Sequence, residues 1–148
     1  MNRRRIALTL PVALAALSTL AACSRSDPER ELRETIARMA TAIETREPAR
    51  LLDHLAEDFT RESGGFDKQD AKRLLAGVLL RNERIDIANV VTDVEVTGNQ
   101  ARARVRVIAA GSASGLLPER GQTWDFTTAW RRDGSKWVVF NAQWREGI

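Results

Sequence analysis

The chain contains no tyrosine, one histidine and one cysteine among its 148 residues. Each scarcity closes off a class of chemistry. Without tyrosine there is no phenolic hydroxyl to donate to a ligand. A single cysteine permits no intramolecular disulfide. With one histidine, no metal-ligand spacing can be traced, so no metal is expected. No phosphate-cradling glycine loop, nucleophile elbow or nucleic-acid stripe is present, and the residues imply no cofactor. A membrane-spanning helix wants about 20 consecutive apolar residues. The apolar stretch Ile6 to Leu20 is shorter and holds Pro11, so a permanent span is the weaker reading.

What is present begins at the N-terminus. Arg3, Arg4 and Arg5 precede that apolar stretch, and Leu20-Ala21-Ala22-Cys23 follow it. A basic start, an apolar core and small residues at a cut are the parts of a secretory signal. Leu-Ala-Ala-Cys resembles the bacterial lipobox. That resemblance implies a diacylglyceryl group on the thiol of Cys23, cleavage between Ala22 and Cys23, and a further acyl chain on the new amine. Two or more chains hold a protein stably on a membrane, at about 0.8 kcal/mol per buried methylene. The competing reading is an ordinary secretory signal with a cysteine nearby by chance. Ser24 stands where Asp would resemble an inner-membrane retention signal. The expected location is therefore a bacterial cell envelope, on the outer membrane facing the periplasm. The expected organisation is a signal peptide over 1–22, a lipidated tether over 23–28 and one domain over 29–146.

The net charge of +3, from 23 Lys+Arg against 20 Asp+Glu, follows the same division. Residues 1–22 hold three arginines and no acid, so the remainder is neutral. The basic balance belongs to the signal and gives no argument for a nucleic-acid partner.

Along the domain, Asp27-Pro28 opens a helix to about Thr45, with Leu32, Ile36, Met39 and Ile43 on one face. Pro48 starts a second, shorter helix with a stripe of Ala49, Leu52, Leu55, Ala56 and Phe59. Gly64-Gly65 breaks the chain, and Asp67 caps a third helix carrying Ala71, Leu74, Leu75, Val78 and Leu79. After Arg84 the period becomes two. Gly98-Asn99 makes a tight turn that puts Glu95 opposite Arg102, Asp93 opposite Arg104, Val94 opposite Ala103 and Thr92 opposite Val105. Ile85 and Ile87 are out of parity with Val90, which predicts a bulge near Ala88-Asn89. Gly111 to Gly121 is a loop, and Gln122–Arg131 and Lys136–Arg145 are strands joined at Asp133-Gly134. That turn puts Trp130 opposite Trp137 and Phe126 opposite Asn141. The fold class is α+β: N-terminal helices packed on a curved antiparallel meander sheet.

The order of helix, short helix, glycine-bearing link, helix and long strands resembles the nuclear-transport-factor-2-like superfamily, the SnoaL-like cone domains. So does the closing strand Asp133-Gly134-Ser135-Lys136-Trp137-Val138-Val139. The likeness covers roughly Glu29 to Trp144. It implies a sheet curled around the helices, leaving a pocket. The family hosts isomerases, dehydratases, epoxide hydrolases and members without known catalysis, so the fold does not select a function.

Within such a cone, two readings stay open for each candidate. His54 is an acid/base group, with Asp58 one helical turn on, or a partly exposed helix histidine. Asn141 hydrogen-bonds a ligand or is a satisfied core amide. Trp124, Phe126, Trp130 and Trp137 line an apolar pocket or simply fill the core. Asp125 shares its face with Arg102, Arg104 and Arg106 and reads as a surface ion pair. Steroid-isomerase-like and scytalone-dehydratase-like sites use tyrosine and cannot be carried over. On the far face Val91, Ile108, Val138, Phe140 and Trp144 interrupt the charges and suggest a partner or homodimer contact. Leu116 and Leu117 close over the pocket mouth or anchor their own loop. The favoured function is a lipid-anchored, non-catalytic domain binding a small apolar ligand or a protein. The alternative is a small-molecule isomerase, dehydratase or hydrolase using the cone.

Overall fold

The computed structural model describes residues 27–112, 117–118 and 120–147. The expected signal peptide, the cleavage site at Ala22 and Cys23 and most of the tether lie outside them. The element order is α1 (Pro28–Glu44), α2 (Pro48–Leu52), β1 (Leu55–Arg61), α3 (Lys68–Arg81), β2 (Ile85–Thr97), β3 (Gln100–Gly111), β4 (Gln122–Asp133) and β5 (Lys136–Glu146). The strands form one sheet in the order β1-β5-β4-β3-β2. The fold is α+β, with helices against a curved sheet.

Local chemistry sets the helix ends. The Asp27 carboxylate accepts the free N–H groups of Glu29 and Arg30 at 3.1 and 3.4 Å, and Pro28 occupies the first turn. Asp67 and Asp70 cap α3 reciprocally, each side chain accepting the other's backbone N–H. Between α1 and α2 the chain reverses at Arg46, which has φ 60°. Its guanidinium donates to the carbonyls of Leu79, Asn82 and Glu83, closing the C-terminus of α3.

The second helix is shorter than its apolar stripe suggests. Leu55, Ala56 and Phe59 belong to β1, which runs parallel to β5 with Leu55 opposite Val139 and Thr60 opposite Asn141. A spacing of four keeps residues on one side in a helix and in a strand alike, so Leu55 and Phe59 fit both. An irregularity between Leu55 and Thr60 accommodates the burial of Ala56 as well. The sheet is therefore five-stranded and mixed, with the antiparallel meander confined to β2–β5.

The first turn pairs as expected: Glu95 with Arg102, Asp93 with Arg104 and Val94 with Ala103. The bulge, however, lies at Thr92 and not at Ala88-Asn89. Val91, not Thr92, opposes Val105, and the Thr92 hydroxyl donates to the Arg104 carbonyl. One extra residue there flips the parity of everything upstream. Ile85, Ile87, Asn89 and Val91 thus share the inner face with Val94 and Val96.

The second turn is Gly134-Ser135, with Asp133 opposite Lys136, and not Asp133-Gly134. Gly134 has φ 61°, as Gly98 has φ 60°. Both hairpins put glycine first in a two-residue loop, which suits the right-handed strand twist. Trp137 consequently faces Arg132 and Trp130 faces Val139. A second irregularity at Phe140 sets Phe126 opposite Trp144, not Asn141. The core gathers Leu32 and Ile36 of α1, Leu55 and Phe59 of β1, and Ala103, Val105, Trp130, Trp137 and Val139 of the sheet.

Candidate functional site

Between α1, α2 and the inner sheet face lies an open apolar cavity of about 180 Å³. Ile36, Met39, Ala40 and Ile43 line it from α1, and Leu51 from α2. Ile87, Asn89, Val105, Val107, Phe126, Thr128 and Trp130 complete the wall from β2, β3 and β4. None of these side chains ionises. The Thr128 hydroxyl is already engaged: it donates to the Ala103 carbonyl at 3.0 Å and accepts from Trp130 Nε1 at 2.7 Å. The remaining polar side chain on the wall is the amide of Asn89.

The expected pocket residues separate. Phe126 and Trp130 are on the cavity wall. Trp137 is fully buried outside it, with the Arg132 guanidinium 4.2 Å over its ring and no partner for its indole N–H among the described residues. Trp124 is half-buried further along β4, opposite Val107 and Glu146, and does not reach the wall. His54 lies outside the cavity as well. Its Nδ1 sits 2.9 Å from the Trp137 carbonyl, and because a carbonyl only accepts, Nδ1 carries the proton. His54 instead borders a surface groove of about 380 Å³ with Arg38, Glu47, Arg50, Asp53 and Lys136.

Asp58 is not a helical neighbour of His54, because β1 has replaced the helix there. Its carboxylate takes two hydrogen bonds from Arg131, at 2.6 and 3.1 Å. Those bonds hold its pKa below the ordinary carboxylate value and raise that of Arg131. Asp125 is bound in the same way by Arg106, at 2.8 and 3.1 Å, and its pKa is lowered for the same reason. Asn141 is turned from the cone and donates to Thr60 Oγ1 and the Glu62 carbonyl, tying β5 to β1.

The expected partner face is also redistributed, by the Thr92 bulge and the β4–β5 register. Val91 and Trp144 point inward. Trp144 stacks edge-on against Phe66, with its ring 5.7 Å from Phe126 and the Arg61 guanidinium 4.2 Å above it. Val138 is buried, and Phe140 is half-buried with the Arg131 guanidinium 5.4 Å over its ring. Ile108 alone of the five is exposed, beside an exposed Val90. Leu117 is half-buried against Gly111, while Leu116 lies outside the described residues.

Sequence reasoning missed Asn89 and the α1 wall. The signal for Asn89 was available: one amide replaces an aliphatic side chain in the series Ile85, Ile87, Val91. Misplacing the bulge hid it. Among the described residues no three His, Cys, Asp or Glu side chains gather into a metal-binding group. No described helix is long and apolar enough to cross a membrane.

No protein-family model matches the chain, and no curated protein sequence does. Solved structures do. A putative scytalone dehydratase from Novosphingobium aromaticivorans superposes with a TM-score of 0.69 at 14% identity, over 80% of this chain and 83% of that one. A protein of unknown function with the nuclear-transport-factor-2-like fold, from Pseudomonas putida, gives 0.66 at 18% identity, over 81% and 87%. A hexachlorocyclohexane dehydrochlorinase from Novosphingobium barchaimii gives 0.62 at 15%, over 80% and 86%. Likeness at this level of identity shows the fold alone, and that fold is the nuclear-transport-factor-2-like cone.

Proposed function

We propose that the protein is a lipid-anchored envelope component whose cone binds a small apolar molecule without transforming it. The observation that carries the binding reading is the cavity wall. It is aliphatic and aromatic, holds no ionisable group, and has its one hydroxyl already bonded. General acid–base chemistry needs a titratable group within hydrogen-bond reach of the substrate, and the wall supplies none. A dry apolar cavity of about 150 Å³ is enough to hold benzene, so about 180 Å³ suits a single-ring compound. The anchor rests on the Leu20-Ala21-Ala22-Cys23 motif behind a basic and then apolar leader.

Titration of the purified protein with benzene, followed by ligand-detected NMR, tests the binding reading. Saturable binding is expected, together with its loss in Ala40→Phe, which fills the cavity from α1 while the fold stays intact by circular dichroism. Absence of saturable benzene binding, or binding unchanged by Ala40→Phe, overturns it.

The alternative is a dehydratase, isomerase or hydrolase. It draws on the likeness to the dehydratase and dehydrochlorinase structures and on His54, whose Nε2 has no partner among the described residues. Such chemistry would use the polar groove beside α2 and not the apolar cavity. Loss of a measured turnover in His54→Gln, with benzene binding retained, would favour it. A homodimer through the outer sheet face would rest on Ile108 and Val90, the exposed apolar pair among the described residues there.

A further inference from the structure

We infer that Asn89 selects the ligand: the cone takes a small neutral ring compound bearing one hydrogen-bonding group, such as a hydroxyl or carbonyl. The inference deepens the binding reading above and rests on it.

Three observations converge on this residue. First, Asn89 breaks its own pattern. The inner face of β2 runs Ile85, Ile87, Asn89, Val91, Val94 and Val96, and an amide is the least suited of these to an apolar wall. Second, its side-chain amide makes no hydrogen bond to any described residue, while the other polar group on the wall, the Thr128 hydroxyl, is occupied on both sides. Asn89 therefore offers two N–H donors and a carbonyl acceptor to whatever enters. Third, its position is held from both sides. Glu44 accepts the Ile87 N–H at 2.8 Å, and Arg33 donates to the Val91 carbonyl at 3.1 Å. These bonds clamp α1 to the β2 edge two residues before and two residues after Asn89. The strand cannot swing the amide away without breaking them.

The chemistry of selection follows. A wholly apolar wall disfavours a ligand hydroxyl, because the group loses water and gains nothing. With Asn89 present the hydroxyl keeps a partner, so the penalty is removed. A charged ligand is disfavoured, since no counter-ion lines the wall. A polar residue on an edge strand also guards against strand pairing between chains; in that role it would be indifferent to the ligand, and the experiment separates the two.

The test compares benzene with phenol on the purified protein, with and without Asn89→Leu. The wild-type protein should bind phenol at least as tightly as benzene. Asn89→Leu should weaken phenol relative to benzene by about 3- to 10-fold, the effect of one net hydrogen bond. Benzene binding in the variant also reports that its cavity is folded. If both compounds bind and the phenol-to-benzene ratio is unchanged by Asn89→Leu, the selection is overturned and the cone reading stands. If benzene does not bind the wild-type protein, the cone reading fails and the selection with it. If Asn89→Leu unfolds, Asn89→Val, which also lacks a hydrogen-bonding group, replaces it, with the same ratio as the readout.

Discussion

At the scale of single residues, Arg46 shows how one side chain can join two helices that the sequence leaves separate. Its backbone takes the left-handed region so that the chain can turn from α1 into α2. Its guanidinium reaches three carbonyls at the end of α3, the shortest at 2.6 Å. Two effects of opposite sign meet here, since a non-glycine residue is strained at φ 60° and the hydrogen bonds compensate. They can be separated. Arg46→Gly removes the bonds and relieves the strain, whereas Arg46→Ala removes the bonds and keeps it. Charge-assisted hydrogen bonds are worth about 1.5–3 kcal/mol each when well formed, reduced by the exposure of this residue. Arg46→Ala should therefore lose about 1–3 kcal/mol in urea unfolding, and Arg46→Gly about 1 kcal/mol less than that. Equal losses would show that the left-handed backbone carries no strain.

At the scale of elements, the parts legible in the sequence were those with one dominant signal. α1 and α3 each carry a cap and an apolar face, although Leu74 of the expected α3 face is exposed and Leu79 is its buried residue. The β2–β3 hairpin was legible because Gly98-Asn99 fixes a two-residue turn, which sets Glu95 opposite Arg102 and Asp93 opposite Arg104. The parts misread had two signals in conflict. Leu55 and Phe59 satisfy a helix and a strand equally. Asp133-Gly134-Ser135 allows two turn registers, and the strand pattern alone does not choose between them. The candidate site suffered most, because its residues depend on parity. One bulge moved Val91 inward and brought Asn89 to the wall, and the β4–β5 slip put Trp144 inside and Asn141 outside. The correct β1 assignment also explains Asp58, which with Arg131 joins β1 to β4 across β5 on the outer face. Asp125 with Arg106 joins β4 to β3. Both carboxyls have folded pKa values below their unfolded ones, chiefly from the arginine hydrogen bonds. Each therefore contributes stability that is present above the unfolded value, about 3.9, and is lost as pH falls through the folded value. The contribution of these two pairs to the urea midpoint should be constant above about pH 5 and fall on acidification below it. The Asp58→Asn/Asp125→Asn double variant should show a shallower fall. Because both pairs are solvent-exposed, 0.5 M salt should shrink the difference. Parallel acid limbs in wild type and variant would show that the pairs are indifferent to folding.

At the scale of the whole molecule, the cavity and the proposed anchor are linked through α1. The helix starts at Asp27–Pro28, four residues after Cys23, and its cavity residues run from Ile36 to Ile43. At about 1.5 Å per residue these lie roughly 14–24 Å along the helix from its start. An extended tether of four residues spans at most about 14 Å. A lipidated Cys23 would thus keep the whole cone within a few nanometres of the bilayer. Small apolar compounds concentrate there, and the neutral domain neither attracts nor repels an anionic surface strongly. The decisive measurement is the mass of the N-terminal peptide of the protein isolated from a bacterial membrane. The expected peptide begins at Cys23 and carries the diacylglyceryl mass, with or without the third chain. In Cys23→Ser the palmitate label should vanish and the precursor should keep residues 1–22, because the lipoprotein signal peptidase acts on the lipidated cysteine. A wild-type peptide that begins elsewhere, or a Cys23 thiol free to react with maleimide, would remove the anchor. The cavity and its proposed selection by Asn89 would then belong to an unanchored protein.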